Sequence, residues 1–266
     1  MQLKYSKNRK AFITGGASGF GLGTAKELVA INAQVIIADI NEDSLENAQR
    51  EINSDLVDIC VVDVSNKESL TTGINDAAVK MGGLDTLVNS AGVFEFRKLE
   101  DISEQEWDWV MDINAKGTFL AIQAAMPHLK ESKNGRVVNL SSDAGKKGFA
   151  MITSYVSSKF AVTGMTQSIS QEAAPYGVTV NAVCPATTPG TNMGEKVAAQ
   201  KVQLYKEFGY SKGDLDTILE EGAKAFPLRR LGTVEDIVSL IMYLISENAS
   251  WITGESINID GGTLSG

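Results

Sequence analysis

The chain has 266 residues, of which 43% are hydrophobic and 21% are charged, and these proportions are typical of a folded protein with a large core. Its formal net charge is −9 and no basic cluster is visible, which argues against a nucleic-acid partner. No run approaches about 18 apolar residues and residues 1–10 are polar, so we expect a cytoplasmic protein without a membrane span or signal peptide.

Short apolar runs alternate with helical patterns along the chain. Strands are predicted at residues 11–14, 34–39, 59–64, 86–89, 136–141, 179–184 and 256–259. Helices are predicted around residues 22–29 and at residues 43–52, 67–81, 104–129, 155–174 and 234–246. Continuously apolar strands are typical of parallel sheets that helices cover on both faces. The sequence therefore predicts an α/β fold, a single Rossmann-type domain over residues 1–266 with a doubly wound parallel sheet of about seven strands.

This alternation is interrupted at residues 187–226, a charged, helix-forming insertion between the last two predicted strands. The insertion follows a strand whose carboxyl end should face the ligand, as in other doubly wound sheets. Its apolar residues can cover a cleft and its glycines allow backbone movement. We therefore expect a mobile substrate lid, with a rigid arm that packs between subunits as the alternative.

The sequence offers few residues for histidine or metal chemistry. His128 is the only histidine, so neither Ser-His-Asp nor Cys-His catalysis is expected, and no metal site is predicted. Cys60 and Cys184 each lie in an apolar run that predicts a buried strand. We therefore expect two buried, reduced thiols rather than a disulfide. Any acid–base chemistry must use other side chains.

A glycine-rich turn, residues 14–21, joins the first predicted strand to the first helix. Its glycines, Gly15, Gly19 and Gly21 among them, permit a tight turn and let backbone N–H groups approach a pyrophosphate. The turn has no Gly-Lys-Ser/Thr ending, which argues against a mononucleotide phosphate loop. Its place in a strand–turn–helix unit predicts a dinucleotide site.

Asp39 ends the second predicted strand, where a carboxylate can bond the adenosine ribose hydroxyls and repel a 2′-phosphate. No Arg or Lys flanks Asp39, and Ser18 in the glycine-rich turn is not basic. The sequence therefore favours NAD over NADP as the cofactor. The alternative role for Asp39 is to cap the helix that follows.

Tyr155 and Lys159 are four residues apart on a predicted helix, which places the phenol and the ammonium on one face. A free tyrosine has a pKa of about 10, too high for a base at neutral pH. A neighbouring cation favours the phenolate, so we expect Lys159 to lower the pKa of Tyr155. Tyr155 is then a candidate proton acceptor in alcohol oxidation and proton donor in ketone reduction.

These motifs occur together with Asn89-Ser90-Ala91-Gly92, Asn114 and Ser142. In order and approximate spacing the set resembles the short-chain dehydrogenase/reductase family, and the resemblance extends from Lys10 to the Asp260-Gly261-Gly262 ending. It implies an NAD-dependent oxidoreductase that moves a hydride between the cofactor and a secondary alcohol or ketone.

The resemblance also implies the role of individual residues. Ser142 would hydrogen-bond the substrate oxygen, and Asn114 would hold a water that links Lys159 to solvent; a turn cap and a satisfied helical amide are the alternatives. The catalytic residues are thus Asn114, Ser142, Tyr155 and Lys159. The implied cofactor contacts are Gly15, Ser18, Gly19, Phe20, Gly21, Asp39, Ile40, Asp63, Val64, Asn89, Ala91, Gly92, Tyr155, Lys159, Pro185 and Thr188. Pro185-Ala186 replaces the family's Pro-Gly, so the assignment of Thr188 assumes that no residue is inserted there.

Three readings of the function remain open from the sequence. We expect a small diol, polyol or hydroxyketone as substrate. Residues 93–97, 143–152 and 187–226, which line the cleft in the family, offer apolar side chains with a few polar groups, and the long insertion is similar to that of polyol and diol members. A 3-oxoacyl-carrier-protein reductase is the first alternative, although such relatives typically use NADPH. A non-catalytic NAD-binding redox sensor is the second, and the intact Ser142, Tyr155 and Lys159 argue against it.

A homotetramer is expected from the family resemblance. The helix around residues 112–129 is apolar around more of its circumference than one core-facing stripe requires. A helix that is buried within its own subunit is the alternative.

Overall fold

A computed structural model describes residues 3–191, 193–195, 200, 220, 222–224 and 226–264. Most of the insertion at residues 187–226, for which a substrate lid is expected, lies outside the described residues. In the part of the chain that is described, no helix is long and apolar enough to cross a membrane.

The described residues form a seven-stranded sheet with helices between its strands. The strands are Lys10–Thr14 (β1), Gln34–Asp39 (β2), Val57–Val61 (β3), Thr86–Asn89 (β4), Arg136–Leu140 (β5), Thr179–Pro185 (β6) and Ser256–Ile259 (β7). The helices are Gly19–Ala30 (α1), Glu42–Ile52 (α2), Lys67–Met81 (α3), Glu104–Met111 (α4), Gly117–Glu131 (α5), Thr153–Ala173 (α6) and Val234–Ile245 (α7).

All neighbouring strands are parallel and follow the order β3-β2-β1-β4-β5-β6-β7. Phe12 of β1 pairs with Ile36 of β2 on one side and with Leu87 of β4 on the other. The chain thus builds outward from β1 to β3, returns, and continues from β4 to β7. The predicted doubly wound parallel sheet is confirmed, and the reversal between β1 and β4 is where such sheets open a ligand crevice.

Successive strand residues point to opposite faces of the sheet, and helices cover both faces. Ile13, Ile37 and Val183 pack in the core that contains α1, α2 and α7. Phe12 and Ile36, each one position earlier, pack in the core that contains α3 and α5. Burial on both sides explains why these strands are continuously apolar.

The third strand differs from its prediction. It ends at Val61 rather than at residue 64, and as an edge strand it has a neighbour on only one side. Asp63 accepts hydrogen bonds from the Ser65 backbone nitrogen at 2.9 Å and hydroxyl at 2.7 Å, and this turn leads the chain out of the sheet. Cys60 is consequently half-buried, so the expectation of two buried thiols is wrong for this residue, while Cys184 is buried.

The helix predicted at residues 104–129 is divided in two. Ser103 and Glu106 form a capping box at the start of α4. A π-helical turn over Asp112–Lys116 then separates α4 from α5. Such turns are frequent at functional sites because they redirect side chains out of the α-helical register. Here the turn contains Asn114, which is buried.

A buried ion pair ties the amino ends of β1 and β4 together. Arg9 is 1% exposed and donates to Asp85 Oδ1 at 3.2 Å and to Thr86 Oγ1 at 2.7 Å. The Lys10 backbone nitrogen donates to Asp85 Oδ2 at 3.0 Å. Burial lowers the pKa of Arg9 and raises the pKa of Asp85, so desolvation opposes both charges even though each is the other's partner.

Replacement of Asp85 by Asn should therefore destabilise the protein strongly. Arg9 would remain buried without its carboxylate, and we expect the free energy of unfolding to fall by about 3–5 kcal/mol in urea titrations at neutral pH. The matched control is Glu51→Gln, which removes a carboxylate from the exposed Lys26–Glu51 pair and should change this free energy by less than about 1 kcal/mol. Equal stability of the two variants would contradict the role given to Asp85.

Candidate active site

A cleft of about 850 Å³ opens at the carboxyl ends of the strands, where the turns after β1 and β4 meet. The sequence-predicted residues that line it are Gly15, Ser18, Phe20, Asp39, Ile40, Asp63, Val64, Ala91, Gly92, Ser142, Tyr155, Pro185 and Thr188. The sequence-predicted residues that do not line it are Gly19, Gly21, Asn89, Asn114 and Lys159. Most of the predicted site is therefore brought together, although these residues are far apart in sequence.

The glycine-rich turn fits a dinucleotide. Gly15 has a φ of 63°, and a Cβ built on it would lie 2.6 Å from the Ala91 backbone nitrogen, so this close approach admits no side chain. Helix α1 begins at Gly19, directly after the turn, and its positive end therefore faces the cleft at Ser18. A pyrophosphate can approach a helix end of this kind closely.

Asp39 stands at the far end of the same cleft and does not cap α2. That cap is Asn41, whose side chain accepts from the Ser44 backbone nitrogen at 2.8 Å. Asp39 lines the cleft beside Ile40, which is 68% exposed. The capping alternative for Asp39 is therefore wrong, and its side chain lines the cleft.

Tyr155 lies in the first turn of α6 and is 8% exposed. Phe94 packs edge-on against it with ring centroids 4.9 Å apart, and Phe96 packs on Phe94 at 5.2 Å. Ile152 belongs to the same apolar cluster. The phenol thus sits in the cleft wall with an aromatic group beside it.

Ser142 follows β5 and lines the cleft with Tyr155. Its hydroxyl donates to Asp143 Oδ1 at 2.8 Å and accepts from the Ala144 backbone nitrogen at 3.1 Å, so it caps a short turn as well. The neighbouring Ser141 donates to the Lys159 backbone carbonyl at 3.1 Å. Ser141 is thereby engaged with α6. Of the two serines, Ser142 is therefore the better placed to hydrogen-bond a substrate in the cleft.

Lys159 and Asn114 lie behind the wall that carries Tyr155. Lys159 Nζ donates to the Leu140 carbonyl at 2.7 Å and stands 5.5 Å from the centroid of the Tyr155 ring. Asn114 Oδ1 accepts from the Val93 nitrogen at 2.8 Å, while its Nδ2 donates to the Val93 carbonyl at 2.9 Å. The Asn114 side chain therefore holds the segment after β4 in place. Both polar atoms of its amide are hydrogen-bonded, as the alternative given for Asn114 from the sequence holds.

The expectation that Lys159 lowers the pKa of Tyr155 below its usual value is wrong. Burial raises the pKa of Tyr155 to about 12. Burial also lowers the pKa of Lys159 to about 8. The sequence indicates that a cation is near the phenol, but it does not show that both groups are withdrawn from water.

Asn89 lies in the sheet rather than at the cleft surface. It is 3% exposed, and its Nδ2 donates to Asn139 Oδ1 at 2.8 Å. Asn139 in turn donates to Thr166 Oγ1 of α6 at 2.9 Å. This chain of side-chain hydrogen bonds connects β4, β5 and α6 beneath the cleft.

Several residues that line the cleft belong to none of the sequence motifs. Trp109 and Ile113 line the cleft from α4 and the π-helical turn, and only their spacing of four indicates that they share a side. Thr191 stands against the glycine-rich turn, since a Cβ on Gly19 would lie 3.2 Å from its Cγ2. Nothing in the sequence singles out Thr191, because it lies in the insertion.

The chain is similar to known proteins over nearly its whole length. A model of the short chain dehydrogenase family matches residues 9–202. The chain is 34% identical to an L-2,3-butanediol dehydrogenase of Corynebacterium glutamicum, covering 97% of this chain and 99% of that protein. It is 32% identical to a 3-oxoacyl-acyl-carrier-protein reductase of Thermotoga maritima, covering 97% and 98%. The crystal structure of levodione reductase matches with a TM-score of 0.87 at 26% identity and covers 98% of each chain.

Proposed function

The chain belongs to the short chain dehydrogenase family of oxidoreductases, and we propose that it transfers a hydride between NAD(H) and a secondary alcohol or ketone. The observation that carries this proposal is the meeting of Ser142 and Tyr155 in one cleft with the glycine-rich turn and Asp39. A proton carrier and a dinucleotide site are both required for this reaction. A redox sensor would need only the second.

We propose that Tyr155 moves the proton. With a pKa of about 12 the phenol is protonated at neutral pH, so it can donate to the oxygen of a ketone that is being reduced. In the reverse direction the phenolate accepts the hydroxyl proton, and Lys159 stabilises that negative charge from behind the ring. Ser142 would donate to the same substrate oxygen after its hydroxyl turns from Asp143, to which it donates in this structure. A bound nicotinamide supplies or accepts the hydride.

The cofactor that we propose is NAD. The glycine-rich turn and Ser18 would hold its pyrophosphate, and Asp39 would accept hydrogen bonds from the adenosine ribose. Asp63 lines the cleft near this end as a second carboxylate, and no Lys or Arg is among the described residues that line the cleft. A 2′-phosphate would meet negative charge there with no cation to offset it.

The cofactor argument also bears on the substrate. Overall similarity does not separate a diol dehydrogenase from a 3-oxoacyl-carrier-protein reductase, since the two relatives are 34% and 32% identical to this chain. Asp39 favours a diol dehydrogenase, because 3-oxoacyl-carrier-protein reductases of this family typically use NADPH. We therefore propose a small diol, polyol or hydroxyketone as substrate.

We further propose that the protein is a cytoplasmic homotetramer. Ala115, Leu120 and Ala125 of the predicted apolar helix are buried within their own subunit, as the alternative reading holds. Phe119 on α5 and Phe160 on α6 nevertheless remain 43% and 45% exposed, and a partner subunit would cover them.

The first functional prediction is that Tyr155→Phe folds and binds NADH but loses turnover. The phenyl ring keeps the packing against Phe94 and removes the proton carrier, so kcat should fall on the order of 10²–10⁴-fold. The matched control is Tyr176→Phe, a half-exposed tyrosine that does not line the cleft and should keep full activity. Retention of more than about a tenth of the activity by Tyr155→Phe would refute the mechanism.

Cofactor preference tests the role of Asp39. The wild type should have a higher kcat/KM with NAD than with NADP, and Asp39→Asn should narrow this ratio by removing the repulsive charge. Asp43→Asn, an equal change of charge on the exposed start of α2, serves as the control and should leave the ratio unchanged. A wild-type kcat/KM that is higher with NADP than with NAD would contradict the role given to Asp39.

Light scattering at micromolar concentration tests the assembly. The expected mass is about four times the 28.4 kDa of one chain, because burial of the exposed aromatic side chains favours association. A mass of one chain would exclude the tetramer.

A further inference from the structure

Aromatic side chains are concentrated around the catalytic tyrosine. Besides Tyr155 and the Phe20 of the glycine-rich turn, the aromatic residues among the described residues that line the cleft are Phe94, Phe96, Trp109 and Phe149. The first two follow β4, the third lies on α4 and the fourth comes after β5. Helix α4 packs against α6, the helix that carries Tyr155. We refer to these four side chains as the aromatic wall.

The aromatic wall begins at the reactive phenol. The ring centroid of Phe94 lies 4.9 Å from that of Tyr155, and the two planes are inclined by 65°. The ring of Phe96 lies 5.2 Å from that of Phe94 and is inclined by 70°. Both contacts are edge-to-face, the arrangement that aromatic pairs prefer over a face-to-face sandwich. A series of rings thus starts at the proton carrier and continues into the lining of the cleft.

The aromatic wall keeps much of its surface uncovered. Trp109 is 44% exposed and Phe149 is 39% exposed, while Phe94 and Phe96 are half-buried. Met151, another apolar side chain, lines the same cleft. Covering apolar surface inside a concave site is favourable, because that surface is removed from water. An apolar group of a bound substrate would gain this free energy at the aromatic wall.

Backbone and side-chain bonds connect the segments that form the aromatic wall. The Arg97 backbone nitrogen donates to the Met151 carbonyl at 2.8 Å, which joins the segment after β4 to the segment after β5. Arg97 Nε donates to Glu106 Oε1 at 2.9 Å, which joins the first of these segments to α4. Glu106 also forms the capping box of α4 with Ser103. The rings are therefore held in place before a ligand binds, and little ordering cost opposes binding.

We propose that the substrate carries an aromatic ring close to its reacting carbon, and that Phe96 and Trp109 of the aromatic wall determine this specificity. The inference rests on the proposed hydride transfer and narrows the substrates proposed above to those with such a ring. In reduction, the carbonyl carbon accepts a hydride from NADH and the carbonyl oxygen accepts the Tyr155 proton. A secondary alcohol and NAD⁺ result, and the phenolate recovers a proton from solvent. The ring itself does not react and serves for recognition.

The test compares three methyl ketones that differ in one group. 4-Phenyl-2-butanone, 4-cyclohexyl-2-butanone and 2-pentanone carry a phenyl, a cyclohexyl and a methyl group, in each case two methylene groups away from the carbonyl. With NADH the wild type should have a kcat/KM on the order of 100-fold higher for the phenyl ketone than for 2-pentanone, because the ring carbons are buried. It should be about 2–10-fold higher than for the cyclohexyl ketone, since only the phenyl ring can form edge-to-face contacts.

Three variants locate the specificity. Phe96→Leu and Trp109→Leu each keep an apolar side chain and remove a ring, so each should lower the ratio of the phenyl to the cyclohexyl ketone towards 1. The matched control is Trp251→Leu, because Trp251 is almost fully exposed and does not line the cleft, and it should keep the wild-type ratio. Each ratio compares two ketones on one preparation, so partial loss of folded enzyme does not change it.

The outcomes separate this inference from the proposed function. Equal kcat/KM for the three ketones, or a phenyl-to-cyclohexyl ratio near 1 in the wild type, overturns the aromatic specificity alone. The same holds if Phe96→Leu and Trp109→Leu keep the wild-type ratio, or if other ketones are reduced and none of these three is. Failure to reduce any ketone of a wider panel with either NADH or NADPH overturns the proposed hydride transfer, and the aromatic specificity with it.

Discussion

The backbone at Gly15 and the segment after β4 approach each other so closely that no side chain fits between them. A Cβ on Gly15 would lie 2.6 Å from the Ala91 nitrogen. This approach depends on β1 and β4 being neighbours, which is also where the strand order reverses. It brings the start of α1 and Gly92 to one crevice. The two ends of the cleft, with Asp39 at one and Tyr155 at the other, are continuous because of it.

Burial governs the chemistry at the catalytic end. Phe94 covers one side of Tyr155, and Asn114 fixes the backbone of Val93 next to it. A buried phenol is harder to ionise and a buried amine is harder to protonate, so the pKa of Tyr155 rises and that of Lys159 falls. The same packing that positions the proton carrier therefore also favours its neutral form. A nearby cation therefore does not by itself make the Tyr155 phenol a base.

The sequence predicted what depends on local backbone constraint and on periodicity. The glycine-rich turn, Asp39 at the end of β2 and the alternation of apolar strands with helices that predicts a parallel sheet belong to this group, because each is visible in neighbouring residues. The end of β3 was missed, since an Asx turn at Asp63 stops a run that still appears apolar. Thr191 was missed because its contact with the glycine-rich turn joins distant segments. The pKa of Tyr155 was missed because burial depends on such contacts too.

The two ends of the sheet use charged side chains in opposite ways. At the amino end, Asp85 bonds Arg9 and the backbone of β1, so its charge is used in holding strands together. At the carboxyl end, Asp39 and Asp143 line the cleft. Asp39 is the last residue of β2 and Asp143 lies in the turn after β5, so both stand where the chain leaves the sheet. A substrate or cofactor rich in hydroxyl groups satisfies such carboxylates, whereas an anionic group would be repelled by them. The proposed recognition of the adenosine ribose hydroxyls thus depends on a carboxylate at the end of a parallel strand.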